Sequence, residues 1–288
     1  MDVRKLCPWQ IKYFIKKNTS GNKILKYIGK KLGIFKHGDG ESPEYVFGVF
    51  NKHYKRVCKI MPKEKFDGLE IGPGGYFSSS IISHFYGCKK TLMVDVEKVN
   101  PKAITTYPML MKFLEGKGFN VSELKNLNDV SQILKAVNGE YLERGMHSLS
   151  EIPSSSVDFI WSNACLEHVY LEEFYDLVCE TRRVLRKGGV CSHTIDLQDH
   201  LDNSLNNLRF APEDWETVEI KKSGFYTNRI RFKEMLQIFD KAGFNVDLVH
   251  ITRWEKLPIK TQKINPYFLR NKEEDLNVSG FDVLLTIK

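Results

Sequence analysis

Apolar positions along the chain fall into two rhythms. Strand-length segments of about six to eight residues occur at Phe66 to Ile71, Val157 to Ser162, Val190 to Ile195, Phe244 to Ile251 and Phe281 to Ile287, with a shorter one at Thr91 to Val94. Val157 to Ser162 is a continuous apolar run, as strands buried on both faces are. Between them the period lengthens to that of a helix. Ser42-Pro43 opens the first, with Ser42 as cap and Pro43 in the first turn, and Tyr45, Val46, Val49, Phe50, His53 and Val57 form its apolar face. Ser78 to Phe85, residues 101–116, residues 122–137 and Phe232 to Ala242 read as further helices. Another is expected from Leu171 to Lys187: acids open it, bases close it, and Gly188-Gly189 ends it. Gly139 to Ile152 carries no clear period. Strands alternating with helices predict an α/β fold, a Rossmann-like doubly wound, mostly parallel sheet.

The first strand breaks into Gly72-Pro73-Gly74-Gly75, and the next ends in Asp95. A strand, a glycine turn, a helix and a second strand tipped by an acid form a nucleoside-binding arrangement. The bare backbone admits the ligand, and the acid meets the ribose hydroxyls. The turn lacks the third glycine of a dinucleotide motif, because that position is Phe77. No pyrophosphate then needs a helix N-terminus. Glu70, two residues before the first glycine, suits the ammonium side of S-adenosylmethionine. The alternative is an ordinary buried strand and turn without a ligand.

Charge changes the picture at one end only. Residues 1–36 hold ten Lys/Arg and one acid, so the segment carries +9 and the rest of the chain −2. Ile24, Ile28 and Leu32 recur among its lysines at helical spacing. The expected organisation is a basic amphipathic N-terminal arm over 1–41 and a catalytic domain over 42–288. Two readings of the arm stand: it packs its apolar stripe on the domain, or residues 1–36 make a peripheral contact with an anionic membrane surface. Without an Arg-rich cluster, no nucleic-acid partner is expected. Six scattered cysteines without a Cys-x-x-Cys pair argue against zinc and for a reducing compartment. With no leader or membrane-length apolar run, the expected location is cytoplasmic, at the inner membrane surface if the arm binds lipid.

Ligands in open α/β sheets lie beyond the carboxyl ends of the strands. Asn163, Glu167 and His168 follow one strand there; His193, Asp196, Asp199 and His200 belong to the next. Transfer to a hydroxyl gains from a base, and histidine is suited near neutral pH. His200 oriented by Asp196, four residues away, is the expected base, with His193 in reserve. His168 is expected to pack or cap the following helix. An unusually polar insertion at about 197–230 leaves this edge. Its Asn206, Asn207, Arg209, Tyr226, Asn228 and Arg229, with Asp199, are candidate acceptor contacts in a substrate lid. The bland alternative is a surface loop whose amides turn the chain.

Taken together, these pieces resemble a class I S-adenosylmethionine-dependent methyltransferase of the type-11 group. The matching residues are Leu69 to Gly74, Val94-Asp95, Ile152-Pro153 through Ser156-Val157-Asp158, Leu166-Glu167-His168-Val169 and Arg183 to Gly189. Tyr45-Val46-Phe47, Ser192-His193, Asp196 to Leu201, Asn206 to Phe210 and Gly224 to Ile230 resemble a bacterial subgroup met in polysaccharide biosynthesis. The resemblance implies cofactor contacts from Glu70, Gly72, Pro73, Gly74, Asp95, Val96, His147, Ser148, Ser162 and Asn163. It also implies O-methylation of a sugar or glycan intermediate, against another small molecule or a lipid, or a scaffold that has lost activity. Two positions depart from the pattern: Tyr76 stands where glycine is commoner, and Arg144 to Ser148 replaces the usual acid-containing adenine segment.

Overall fold

A computed structural model describes residues 8–18, 40–61, 64–270 and 273–288. Seven strands form one sheet in the order β3-β2-β1-β4-β5-β7-β6. They are β1 (Phe66–Ile71), β2 (Cys88–Val94), β3 (Gly139–Leu142), β4 (Val157–Asn163), β5 (Leu185–Asp196), β6 (Phe244–Arg253) and β7 (Val278–Ile287). Strands β1 to β5 are parallel, and β7 runs antiparallel between β5 and β6. The order reverses at β1, between β2 and β4, which puts a crevice beyond the carboxyl ends of β1 and β4.

The flanking helices are α1 (Trp9–Lys17), α2 (Pro43–Val57), α3 (Ser78–Phe85), α4 (Lys102–Gly116), α5 (Val130–Ala136), α6 (Met146–Glu151), α7 (Phe174–Val184) and α8 (Phe232–Lys241). Ser42 caps α2 as expected, accepting from the Tyr45 N–H. Alternate residues of each strand enter two core layers. Leu69, Ile71 and Ile160 meet Phe174, Val178 and Phe239 on one face. Phe159 and Trp161 meet Phe50, Ile82 and Leu110 on the other. Complete burial of each large side chain contributes about 1.5–3 kcal/mol, so both helix layers are held by the sheet.

Three segments differ from the sequence expectation. Residues 122–137 form turns followed by the short α5, started by Asp129, whose carboxylate accepts from the Ser131 and Gln132 N–H groups. Gly139 to Ile152, which shows no period, contains β3 and α6. Its register is set by pairing with β2, Thr91 opposite Gly139. Helix α7 stops at Val184, and β5 begins at once with extended Leu185, ahead of the glycine pair. Gly188 at φ +81° and Gly189 therefore lie inside the strand's irregular start rather than ending the helix.

The insertion at 197–230 builds a small core of its own from Leu201, Trp215, Ile220, Phe225 and Tyr226. Helix α1 docks on it. Tyr13 stacks on Phe210 with ring centroids 4.9 Å apart, and Lys12 pairs with Asp202 at 3.1 Å. Lys16 is buried there, and its Nζ donates to the His200 carbonyl at 3.1 Å. This part of the basic arm packs on the domain; the Ile24, Ile28 and Leu32 stripe lies outside the described residues. Among the described residues no helix is long and apolar enough to cross a membrane.

Candidate active site

The glycine turn is closed by a carboxylate. One oxygen of Asp95 accepts the Gly74 N–H at 2.7 Å, and the other accepts the Val96 and Glu97 N–H groups at 2.7 and 2.9 Å. The end of β2 and the turn after β1 are thereby fixed to each other. Gly72, Gly74 and Gly75 all have positive φ, a conformation that glycine adopts without steric cost. Gly74 faces open space where a side chain would begin, whereas a Cβ on Gly72 would meet the Cys165 Sγ at 2.1 Å. Val96, expected among the cofactor contacts, is 81% exposed beside the turn.

Glu70 is buried beneath this turn and accepts a hydrogen bond from Ser79. The Trp161 indole N–H faces it without completing a bond. Burial, followed by the nearby Asp95, pushes the Glu70 carboxyl up to about 7, with Ser79 and Trp161 opposing the rise. Asn163, at the end of β4, accepts from Lys52 Nζ at 3.1 Å and reaches the Tyr45 hydroxyl at 3.4 Å. The chain then turns through Ala164, a non-glycine residue at φ +48°, which aims Cys165 at Gly72. Such a conformation is costly and persists where surrounding contacts hold it.

Glu167 is the residue that sequence reasoning placed on this edge without assigning a role. It is 2% exposed, and neither carboxylate oxygen has a hydrogen-bond partner among the described residues. The N–H groups of Glu167 itself and of Asp196 lie near it short of hydrogen-bond geometry. Burial raises this carboxyl well above the usual range, and Asp196 adds to the rise. An orphaned buried carboxyl requires a functional or structural reason. The sequence signals available for it were its position after β4 and its place in the motif Leu166-Glu167-His168-Val169.

The remaining predicted cofactor residues diverge. Ser148 is buried and accepts the Arg144 N–H, while His147 is exposed and lies 3.5 Å from Glu151. Pro73 lies in the turn, its carbonyl accepting the Tyr76 N–H at 3.4 Å. Ser162 points away from the glycine turn and meets His193 Nδ1 at 2.7 Å.

His193 itself is a correction. It is buried in the α8 layer, its ring stacked near Phe239 with centroids 6.4 Å apart, and burial lowers it to about 3. A neutral core imidazole with Ser162 as partner is not a reserve base. The pairing of His200 with Asp196 is a second correction. Asp196 accepts from the Gln198 N–H, and no hydrogen bond joins it to His200 among the described residues. His200 Nε2 instead meets His168 Nε2 at 2.9 Å, the rings stacked with centroids 4.6 Å apart. His168 Nδ1 meets the Tyr226 carbonyl at 2.7 Å. A carbonyl only accepts, so the His168 proton resides on Nδ1. His168 Nε2 is then the acceptor and His200 Nε2 the donor. The expectation that His168 only packs or caps is corrected with it. Burial, opposed by the Tyr226 carbonyl and aided by Lys16, lowers His168.

The insertion is a third correction. Its polar side chains bond one another, the backbone of the insertion and the neighbouring 166–171 segment. Asp199 accepts the Leu201, Asp202 and Asn206 N–H groups. Asn206 accepts from Arg209, whose guanidinium lies over Trp9 of α1. Asn207 bonds Thr227, and Tyr226 accepts the Leu171 N–H and donates to Glu216. Asn228 donates to the Leu166 and Val169 carbonyls, and Arg229 to those of Asn207 and Phe210. A chain segment with little regular structure must satisfy its buried backbone groups this way.

The donor set fits S-adenosylmethionine. Three carboxyls, Glu167, Asp95 and Glu70, act on the Cys165 thiol that covers Gly72, and among the described residues no cationic side chain acts on that thiol. A site with an acid for ribose, an open glycine turn and unbalanced buried carboxyls suits a nucleoside that carries positive charge.

Residues 117–192 match the sequence model of the methyltransferase domain family. That segment runs through β3, α6, β4 and α7 into β5, and so contains Cys165, Glu167 and His168. No curated protein matches the chain. Among solved structures, it is similar to an S-adenosylmethionine-dependent methyltransferase of Archaeoglobus fulgidus, at 15% identity and TM-score 0.46, over 92% of this chain and 99% of that one. It is also similar to one from Methanosarcina mazei, at 18% identity and TM-score 0.45, over 81% and 98%. A Mesorhizobium loti enzyme of the same description has 13% identity and TM-score 0.42, over 85% and 97%. The class follows from the sheet order and the matched segment. This is the α/β fold of a class I methyltransferase. Residues 117–192 thus mark a methyltransferase domain on this fold, and the donor set suits S-adenosylmethionine as its methyl donor.

Proposed function

We propose that the protein transfers a methyl group to a hydroxyl of a polar acceptor, a sugar or glycan intermediate. The observation that supports a hydroxyl acceptor is the His168–His200 pair at the carboxyl edge of the sheet. An alcohol has to lose its proton as the new bond to carbon forms, and a neutral imidazole is a suitable base. The cofactor supplies an electrophilic methyl already activated by a sulfonium charge. His200 takes the hydroxyl proton at Nδ1, since Nε2 is the donor to His168. The resulting imidazolium is held by His168 Nε2, and the Tyr226 carbonyl fixes His168 in the required tautomer. His168 thus does for His200 what the sequence expected of Asp196.

The sugar or glycan class is supported by the subgroup motifs at Asp196 to Leu201 and Gly224 to Ile230, which build the insertion beside this edge. The insertion walls the acceptor side, its backbone held by the side chains of Asp199 and Arg229. The test is methyl transfer from labelled cofactor to a panel of nucleotide sugars, free glycans, catechols and lipid headgroups. Labelled product from sugars alone is expected. Product only from catechols or lipids would transfer the assignment to the small-molecule or lipid reading.

A further inference from the structure

Among the described residues, Glu167 is the one buried carboxyl at the site with neither oxygen hydrogen-bonded. Among the described residues no cation acts on it. From its own loop it faces Cys165, and from β5 it faces Asp196. Through the Cys165 thiol it shares a neighbourhood with Glu70 of β1 and Asp95 of β2. Asp199 and Arg231 act on Asp196, and Lys16 acts on the adjacent His168. None of these cations is among the groups acting on Glu167. An ionised carboxylate in such a place has no solvent and, among the described residues, no donor in hydrogen-bond geometry and no counter-charge, and the neutral acid is the stable form.

We propose that Glu167 is held as the neutral acid in the ligand-free protein and ionises when the cationic cofactor binds beside it, so that cofactor uptake releases a proton. The O–H bond of Glu167 breaks, its electron pair stays on the carboxylate, and the proton passes to bulk buffer. The positive charge of the bound ligand replaces the proton as the partner of the carboxyl. Burial, which raises the carboxyl in the free protein, then favours the ion pair. Glu70, also raised by burial, contributes to the same linkage but keeps the Ser79 hydrogen bond, which already favours its ionised form. The inference rests on the cofactor and is independent of which acceptor is methylated.

Titration calorimetry with S-adenosylmethionine in two buffers of different ionisation enthalpy, at neutral pH, counts the protons released. The wild-type protein should release about one proton per cofactor. Glu167→Gln, which mimics the neutral acid, should remove most of that release, and Glu70→Gln should leave most of it. Equal release from Glu167→Gln and wild type, or none from wild type, would overturn the proposal. If Glu167→Gln does not fold, infrared difference spectra of the Glu70→Gln protein decide. Loss of a protonated-carboxyl C=O band on cofactor addition is expected, and a band unchanged by cofactor contradicts it. Failure of the sugar assignment leaves both readouts untouched, so the two ideas fail separately.

Discussion

Asp95 and Glu70 occupy the places their sequence positions imply, because each is fixed by a local event: a strand that ends at a glycine turn. The histidines were not legible in the same way. A four-residue spacing brings Asp196 and His200 together only if the chain is helical there, and here it turns. His168 reaches His200 across 32 positions through the fold of the insertion, which no local pattern encodes. Glu167 was equally hidden, since its lack of partners is a property of everything packed around it. Replacing His200 with alanine should lower turnover about 10²-fold with cofactor affinity nearly intact, because the base acts on the acceptor. Single-turnover kinetics beside calorimetry would separate the two effects. Replacing His193 with alanine should act on stability instead. Loss of a buried ring packed near Phe239 and bonded to Ser162 should cost about 2–4 kcal/mol in a denaturant titration. A large fall in turnover with unchanged stability would return His193 to the chemistry.

At the scale of elements, long apolar runs were legible and short or exposed ones were not. β1, β4 and α8 follow from their patterns. β3 has four residues, none fully buried, and exists because β2 offers it an edge. The insertion's polar residues looked like ligand contacts because substrate recognition and backbone satisfaction draw on the same amides and guanidinia. Helix α1 is held to this insertion by aromatic stacking and by Lys16. Burial, with Lys12 adding to it and Asp199 opposing, lowers Lys16 from 10.5 to about 8. Between those values the unfolded chain binds more protons than the native one, so stability should rise as pH rises through about 8 to 10.5. The contribution is lost as pH falls back through that window. Chemical denaturation of the wild type and Lys16→Met across it should show this rise in the wild type and a flatter profile in the variant. Parallel profiles would mean that Lys16 is solvated rather than docked.

For the molecule as a whole, one sheet carries two layers of helices and brings four strand ends into a single crevice. That architecture was readable from the alternation of strands and helices, including its mostly parallel character. The antiparallel insertion of β7 between β5 and β6 was not, because strand order depends on chain reversals that leave no periodic trace. A cofactor seated in the crevice would be bound by the folded chain alone, so saturating S-adenosylmethionine should raise the melting temperature by several degrees. The central claim is that Asp95, which closes the glycine turn, anchors this cofactor. The most direct measurement is calorimetric titration of S-adenosylmethionine into the wild-type protein and Asp95→Ala. Loss of a charge-assisted hydrogen bond predicts affinity weaker by about 1.5–3 kcal/mol in the variant, which is roughly ten- to a hundred-fold. No binding by the wild type, or equal affinity in the two proteins, would contradict it.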